Sequence, residues 1–274
     1  MSEPAPRPAW LRCQKLACAL FLGALAALSG CASSGTSSSS SEYMTSSDMT
    51  DERRRAIIRL QLAAEYMGNG QYEIALDEVK RAIAADPGYS IAYNMRGLAY
   101  VQLGEKSLAE ESFRRALALN NRDGDAQHNL AFVLCEQGRY SEARQFFEAA
   151  HANPTYRNKD RTRVAQAVCE TKTGNFAGAE SLLISLYEEG GRSPQAASAL
   201  ADLYVQQRDY RKAALYASQA NVRSSATPAS LWQGIKIERQ LGNTETVTRY
   251  ARQLRESFPD SRELQLYERG AWNN

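Results

Sequence analysis

Histidine is almost missing from this chain: 274 residues hold only His128 and His151. Two imidazoles far apart leave little material for a histidine-rich metal centre or a Ser-His-Asp triad. An excess of one charge is missing too. Lys and Arg total 33 against 31 for Asp and Glu, a formal net charge of +2. Nucleic-acid binding needs a concentrated basic face, so no nucleic-acid partner is expected. The mean hydropathy of −0.50 excludes a multi-span membrane protein. A phosphate-binding loop is also lacking. Gly104-Glu105-Lys106-Ser107 echoes its tail but has no upstream glycine at the required spacing. No nucleophile accompanies the Asp125/His128 pair. The chain therefore reads as non-enzymatic, with no cofactor, metal or small-molecule substrate.

What is present starts with an address. Arg7, Arg12 and Lys15 precede an uncharged apolar run of 12 residues, Leu16 to Ala27. That is too short for a membrane span, which needs about 20 residues, and reads as a signal peptide over 1–30. The run ends Leu28-Ser29-Gly30-Cys31, which resembles a bacterial lipobox, with Cys31 as the lipidated residue. Ordinary cleavage among Ala24 to Ala27, with Cys31 a bystander, is the competing reading. Ala32 rather than Asp after the cysteine resembles cargo sorted to the outer membrane, lipid-anchored and facing the periplasm. Cleavage removes three basic residues and one acidic one, leaving 30 of each, so the lipid must supply membrane attachment. Residues 31–50 include five consecutive serines, Ser37 to Ser41. Such a composition cannot bury apolar surface and serves as a flexible tether, about 25 Å in reach.

A 34-residue period organises residues 51–274. Six segments align: 56–89, 90–123, 124–157, 160–193, 194–227 and 228–261, with a two-residue slip at Asn158-Lys159. Position eight reads Ala63, Gly97, Ala131, Ala167, Ala201, Ile235. Position twenty reads Ala75, Ala109, Ala143, Ala179, Ala213, Val247. Position twenty-seven reads Ala82, Ala116, Ala150, Leu186, Ala220, Leu254. Small residues in these columns let two antiparallel helices cross closely and the next pair stack on them. Turn signals fall between the helices of each pair, from Gly70-Gln71 to Gly242-Asn243. The pattern resembles the tetratricopeptide repeat (TPR). It implies an all-α fold, a right-handed superhelical solenoid of six helix-turn-helix repeats with a capping helix within 262–274. Glu170 and Glu238 at position eleven, where Tyr66, Tyr100 and Tyr204 stand elsewhere, make repeats four and six the least regular.

A TPR array grips peptides along its concave face, at first-helix positions two, five, nine and twelve. The candidate partner-binding residues are Ile91, Asn94, Met95, Leu98 and Val101 in repeat two. Repeat three adds His128, Asn129 and Phe132, and repeat four adds Val164 and Val168. An extended segment would lie against Leu98, Phe132 and Val168, its backbone paired with Asn94 and Asn129. The alternative is that these side chains fill the bore of the superhelix. Cys135 and Cys169 lie on neighbouring first helices. A bridge between them is open, but two small buried hydrophobes is the preferred reading.

Lipobox, serine tether and six TPRs, in this order, resemble the pilotin lipoproteins of type IV pili, the PilF/PilW family. More specific are His128-Asn129-Leu130 through Glu136 to Ala143, similar to the family's third repeat, and Ala229 to Lys236 running to Phe258-Pro259-Asp260-Ser261, similar to its ending. The resemblance implies an assembly role: binding the secretin protein of the pilus and supporting its outer-membrane localisation and ring assembly. A different periplasm-facing TPR lipoprotein, a scaffold in β-barrel assembly or a protease adaptor, is the rival reading.

Overall fold

The computed structural model describes residues 49–189 and 192–272. The expected signal peptide, the expected lipidation site Cys31 and nearly all of the expected tether lie outside the described residues. Thirteen α-helices and no strand occur among those described. They run α1 (Asp51–Gly68), α2 (Tyr72–Ala85), α3 (Ser90–Gln102), α4 (Lys106–Leu119), α5 (Gly124–Glu136), α6 (Tyr140–Ala152) and α7 (Lys159–Lys172). Then follow α8 (Phe176–Glu189), α9 (Pro194–Gln206), α10 (Tyr210–Ala220), α11 (Pro228–Gln240), α12 (Thr244–Ser257) and α13 (Arg262–Glu268). Odd-numbered α1 to α11 are the first helices of six antiparallel pairs.

The small-residue columns explain the pairing. Ala63, Ala75, Ala82, Ala109, Ala116 and Ala143 are wholly buried. At Gly97 an added Cβ would meet the Phe113 ring at 2.4 Å, so only glycine lets that ring cross. Phe113 and Phe147 are fully buried, each contributing about 1.5–3 kcal/mol by leaving water. The turn after each first helix needs a left-handed residue. Gly70, Gly104, Gly138, Gly174 and Gly242 supply it, and Arg208, at φ 60°, takes the same conformation in repeat five. Ser193 and Thr227 cap α9 and α11, each followed by a proline in the first turn, where a missing N–H costs nothing.

The backbones of adjacent first helices approach one another closely, whereas adjacent second helices meet only through long side chains, such as Arg114 with Glu142 and Tyr187 with Tyr216. The first helices therefore line the inner side of the curve. The slip at Asn158-Lys159 has a physical role: it loops Tyr156 back into the seam, 7% exposed, over Gly124, where a Cβ would approach the ring at 2.5 Å. Helix α13 closes the last repeat, Leu264 packing with Leu231, Ile235 and Leu254.

The two irregular repeats are compensated locally. Glu170 is buried, yet Arg144 donates to it through Nε and Nη2 at 2.8 Å each, and Asn175 Nδ2 donates at 2.8 Å. Burial pushes the Glu170 pKa up, and these hydrogen bonds outweigh it, leaving the carboxyl below its ordinary value. Glu238 receives Asn243 Nδ2 at 3.0 Å. In both repeats an asparagine five residues on answers the buried glutamate.

The cysteine reading is corrected. Cys135 and Cys169 are joined as a disulfide between α5 and α7, with Cα atoms 5.9 Å apart. That spacing is in the ordinary range for a bridge. The bridge joins position twelve of one first helix to position ten of the next, across the two-residue slip.

Candidate partner-binding face

The predicted face separates into three environments. Ile91, Phe132 and Val168 are exposed, at 46%, 44% and 47%. One lies on each of α3, α5 and α7, giving an apolar strip on the inner side. Asn94, Met95, Leu98, Val101 and Val164 are half-buried. Leu98 and Val101 pack on the Phe113/Leu134/Phe147 core, and Val164 packs on the Leu183/Leu200 core. Some of the predicted residues are thus exposed, and others pack into the cores of the helix pairs.

Two residues leave the face altogether. His128 is 3% exposed. Its Nδ1 lies 3.0 Å from Thr162 Oγ1, which donates to Tyr156 Oη at 3.2 Å. Burial, with the Arg161 charge second, lowers its pKa to about 4, so it is a neutral seam residue. Asn129 is 7% exposed and donates from Nδ2 to Asn94 Oδ1 at 3.0 Å. These amides staple two repeats together, which corrects their assignment as partners for a bound backbone.

Another concavity lies further along. A cavity of about 830 Å³ opens between α9, α11 and α13. Its walls include Ser198, Asp202, Trp232, Lys236, Arg239 and Trp272. Ser198 and Asp202 hold positions five and nine of repeat five, and Trp232, Lys236 and Arg239 hold five, nine and twelve of repeat six. They stand in the same register as Asn94 and Leu98, in the two repeats beyond the predicted face. Gln233 braces the wall, donating to Ser198 O at 3.0 Å and to Asp202 Oδ1 at 2.5 Å. Burial raises the Asp202 pKa, against the Gln233 hydrogen bond and the Lys236 charge. No group of three or more potential metal ligands occurs among the described residues.

Paired helices stacked in register, first helices inward and a capped end define a TPR solenoid. The tetratricopeptide repeat family matches residues 60–123 and 94–157. The chain is 27% identical over 241 residues to the type IV pilus assembly protein PilF of Pseudomonas aeruginosa, covering 88% of this chain and 93% of that one. The crystal structure of PilW, described as a widely conserved type IV pilus biogenesis factor, superposes with a TM-score of 0.64 at 30% identity. That match covers 78% of this chain and 98% of PilW. A solved Pseudomonas aeruginosa PilF structure shares the fold, with a TM-score of 0.62 over 81% of this chain and all of that one. The chain belongs to the PilF/PilW family of TPR proteins.

Proposed function

We propose that this protein is a non-enzymatic assembly factor of type IV pili. In this reading Cys31 carries the lipid anchor, the serine-rich segment spans the gap to the folded part, and the chain sits at the outer membrane facing the periplasm. The inner face of repeats two to four holds secretin subunits while they are delivered and assembled into the ring through which the pilus exits. The observation that carries this is likeness over nearly the whole length of PilW, 98% covered at 30% identity. The apolar strip of Ile91, Phe132 and Val168 supports a protein partner, since exposed apolar side chains on three neighbouring first helices gain by being covered.

The test is genetic. Deleting the gene in its own host and fractionating the envelope should leave secretin monomers in place of heat-stable multimers, with pili lost from the surface. Full secretin multimers and normal piliation in the deletion strain would refute the proposal.

A further inference from the structure

The cavity between α9, α11 and α13 is built for a ligand different from the apolar strip. One wall is aromatic: Trp232 and Trp272 stack with centroids 5.4 Å apart. Two cations stand beside them. Lys236 Nζ lies 5.7 Å from the Trp232 ring centre and the Arg239 guanidinium 3.9 Å from that of Trp272. Neither cation forms an ion pair within 4.0 Å among the described residues, whereas Arg81 on α2, Arg114 on α4 and Arg144 on α6 do. Trp232 itself is 5% exposed, and its indole N–H has no acceptor. One face of α11 thus offers the cavity two cations without a close ion-pair partner, Lys236 and Arg239, about one helical turn apart. The acidic groups around them are Asp202, on which the Lys236 charge acts, Glu263, and Glu268, which shares an adjoining hollow with Arg239 and pairs with Arg255. Asp202 already accepts from Gln233, and Glu263 stands on the opposite wall, on α13.

We infer that this cavity is a second docking site, separate from the strip on repeats two to four, for an extended acidic peptide segment. Side chains two residues apart on an extended strand point the same way, about 6.7 Å apart. Residues three apart on a helix face lie about 5–6 Å apart at Cβ. Carboxylates at alternate positions of the segment therefore reach Lys236 and Arg239 in turn. The apolar side chains between them turn toward the tryptophans, with Ile237 and Val205 deeper in the same cavity. The positions equivalent to Lys236 are Ala64, Leu98, Phe132, Val168 and Asp202 in the other repeats, so the cationic pair is specific to this end of the array.

The chain carries its own reporter. Its three tryptophans are Trp10, Trp232 and Trp272, so in the full-length Trp10→Phe protein all indole emission comes from this cavity. The probe is an acetylated, amidated ten-residue peptide alternating glutamate with valine. It should shift and saturate the emission. The glutamine-valine peptide should bind at least tenfold more weakly, as should the glutamate peptide to Lys236→Glu/Arg239→Glu. Both substituted side chains point away from the core, and circular dichroism should be unchanged. Equal binding of the glutamate and glutamine peptides, stronger binding of a lysine-valine peptide, or no emission change would overturn the inference. No secretin enters this assay, so its failure would leave the proposed function standing.

Discussion

Asn129 donates its Nδ2 proton to Asn94 Oδ1 at 3.0 Å, joining α5 to α3 across a repeat boundary. Gln233 repeats the step to Ser198, in the same register and again 35 residues apart. These polar groups of the inner face hold neighbouring repeats together. In the proposed function, the grip on a partner at repeats two to four is left to the apolar strip.

That division makes the substitutions separable. Phe132→Glu with Val168→Glu should keep full helicity and abolish secretin capture. An apolar partner segment would have to desolvate both carboxylates, at several kcal/mol. Leu98→Glu, half-buried against the Phe113 and Leu134 core, should instead lower the melting temperature sharply. Circular dichroism with co-purification distinguishes the two. Capture undiminished in a folded Phe132→Glu/Val168→Glu protein would remove the strip from the binding surface.

The disulfide spans 34 residues of sequence between repeats three and four. Closing a loop of that length in the unfolded chain is worth about 2–4 kcal/mol. Cys135→Ser/Cys169→Ser, and reduction of the parent, should each lower stability by that order in urea titration. A variant as stable as the oxidised parent would mean the thiols are unbridged in solution.

His128 predicts a pH dependence. Its folded pKa of about 4 lies below its ordinary value of 6.5, so the unfolded chain takes up the proton first as pH falls. Stability is therefore fully present above pH 6.5 and lost as pH drops from 6.5 toward 4. Between pH 8 and pH 5 the loss is about 2 kcal/mol. His151, also lowered by burial, acts in the same direction. Glu110, Glu136, Glu142 and Glu170 have lowered pKa values. Their contributions fade only below pH 4.5, outside this window. His128→Gln, which keeps a neutral partner for Thr162, should flatten most of the slope between pH 6.5 and 5 in urea midpoints. An unchanged slope would place the titrating group elsewhere.

Arg208 holds the left-handed turn that glycine holds in the five other repeats. A side chain there costs about 1–2 kcal/mol, partly offset by the extra unfolded-state freedom of glycine. Arg208→Gly should raise stability by about 0.5–1 kcal/mol, read as a higher melting temperature. A lower one would mean the arginine makes a contact worth more than the strain.

The solenoid was legible because its determinants are local. A glycine at position 97 leaves room for an aromatic from the paired helix, and a small residue every 34 positions repeats that packing. The turn glycines mark where the chain reverses. What escaped depends on rotation between neighbouring repeats. Around the two-residue slip, Thr162 meets His128 and Tyr156, burying a predicted groove residue, and Cys169 meets Cys135. The Trp232 cavity was hidden for another reason. It needs α13 to complete a wall, and Trp272 comes from beyond the last repeat, where the period no longer reports position.

The central claim is that the inner face of repeats two to four holds secretin at the outer membrane. Its most direct test is a photo-crosslinking amino acid placed at Phe132 of the full-length protein in its native host, followed by mass spectrometry of the adduct. The predicted result is a secretin adduct from position 132, and none from the same probe at Ile74, exposed on α2. An adduct from position 74 with none from position 132, or adducts lacking secretin peptides altogether, would contradict it.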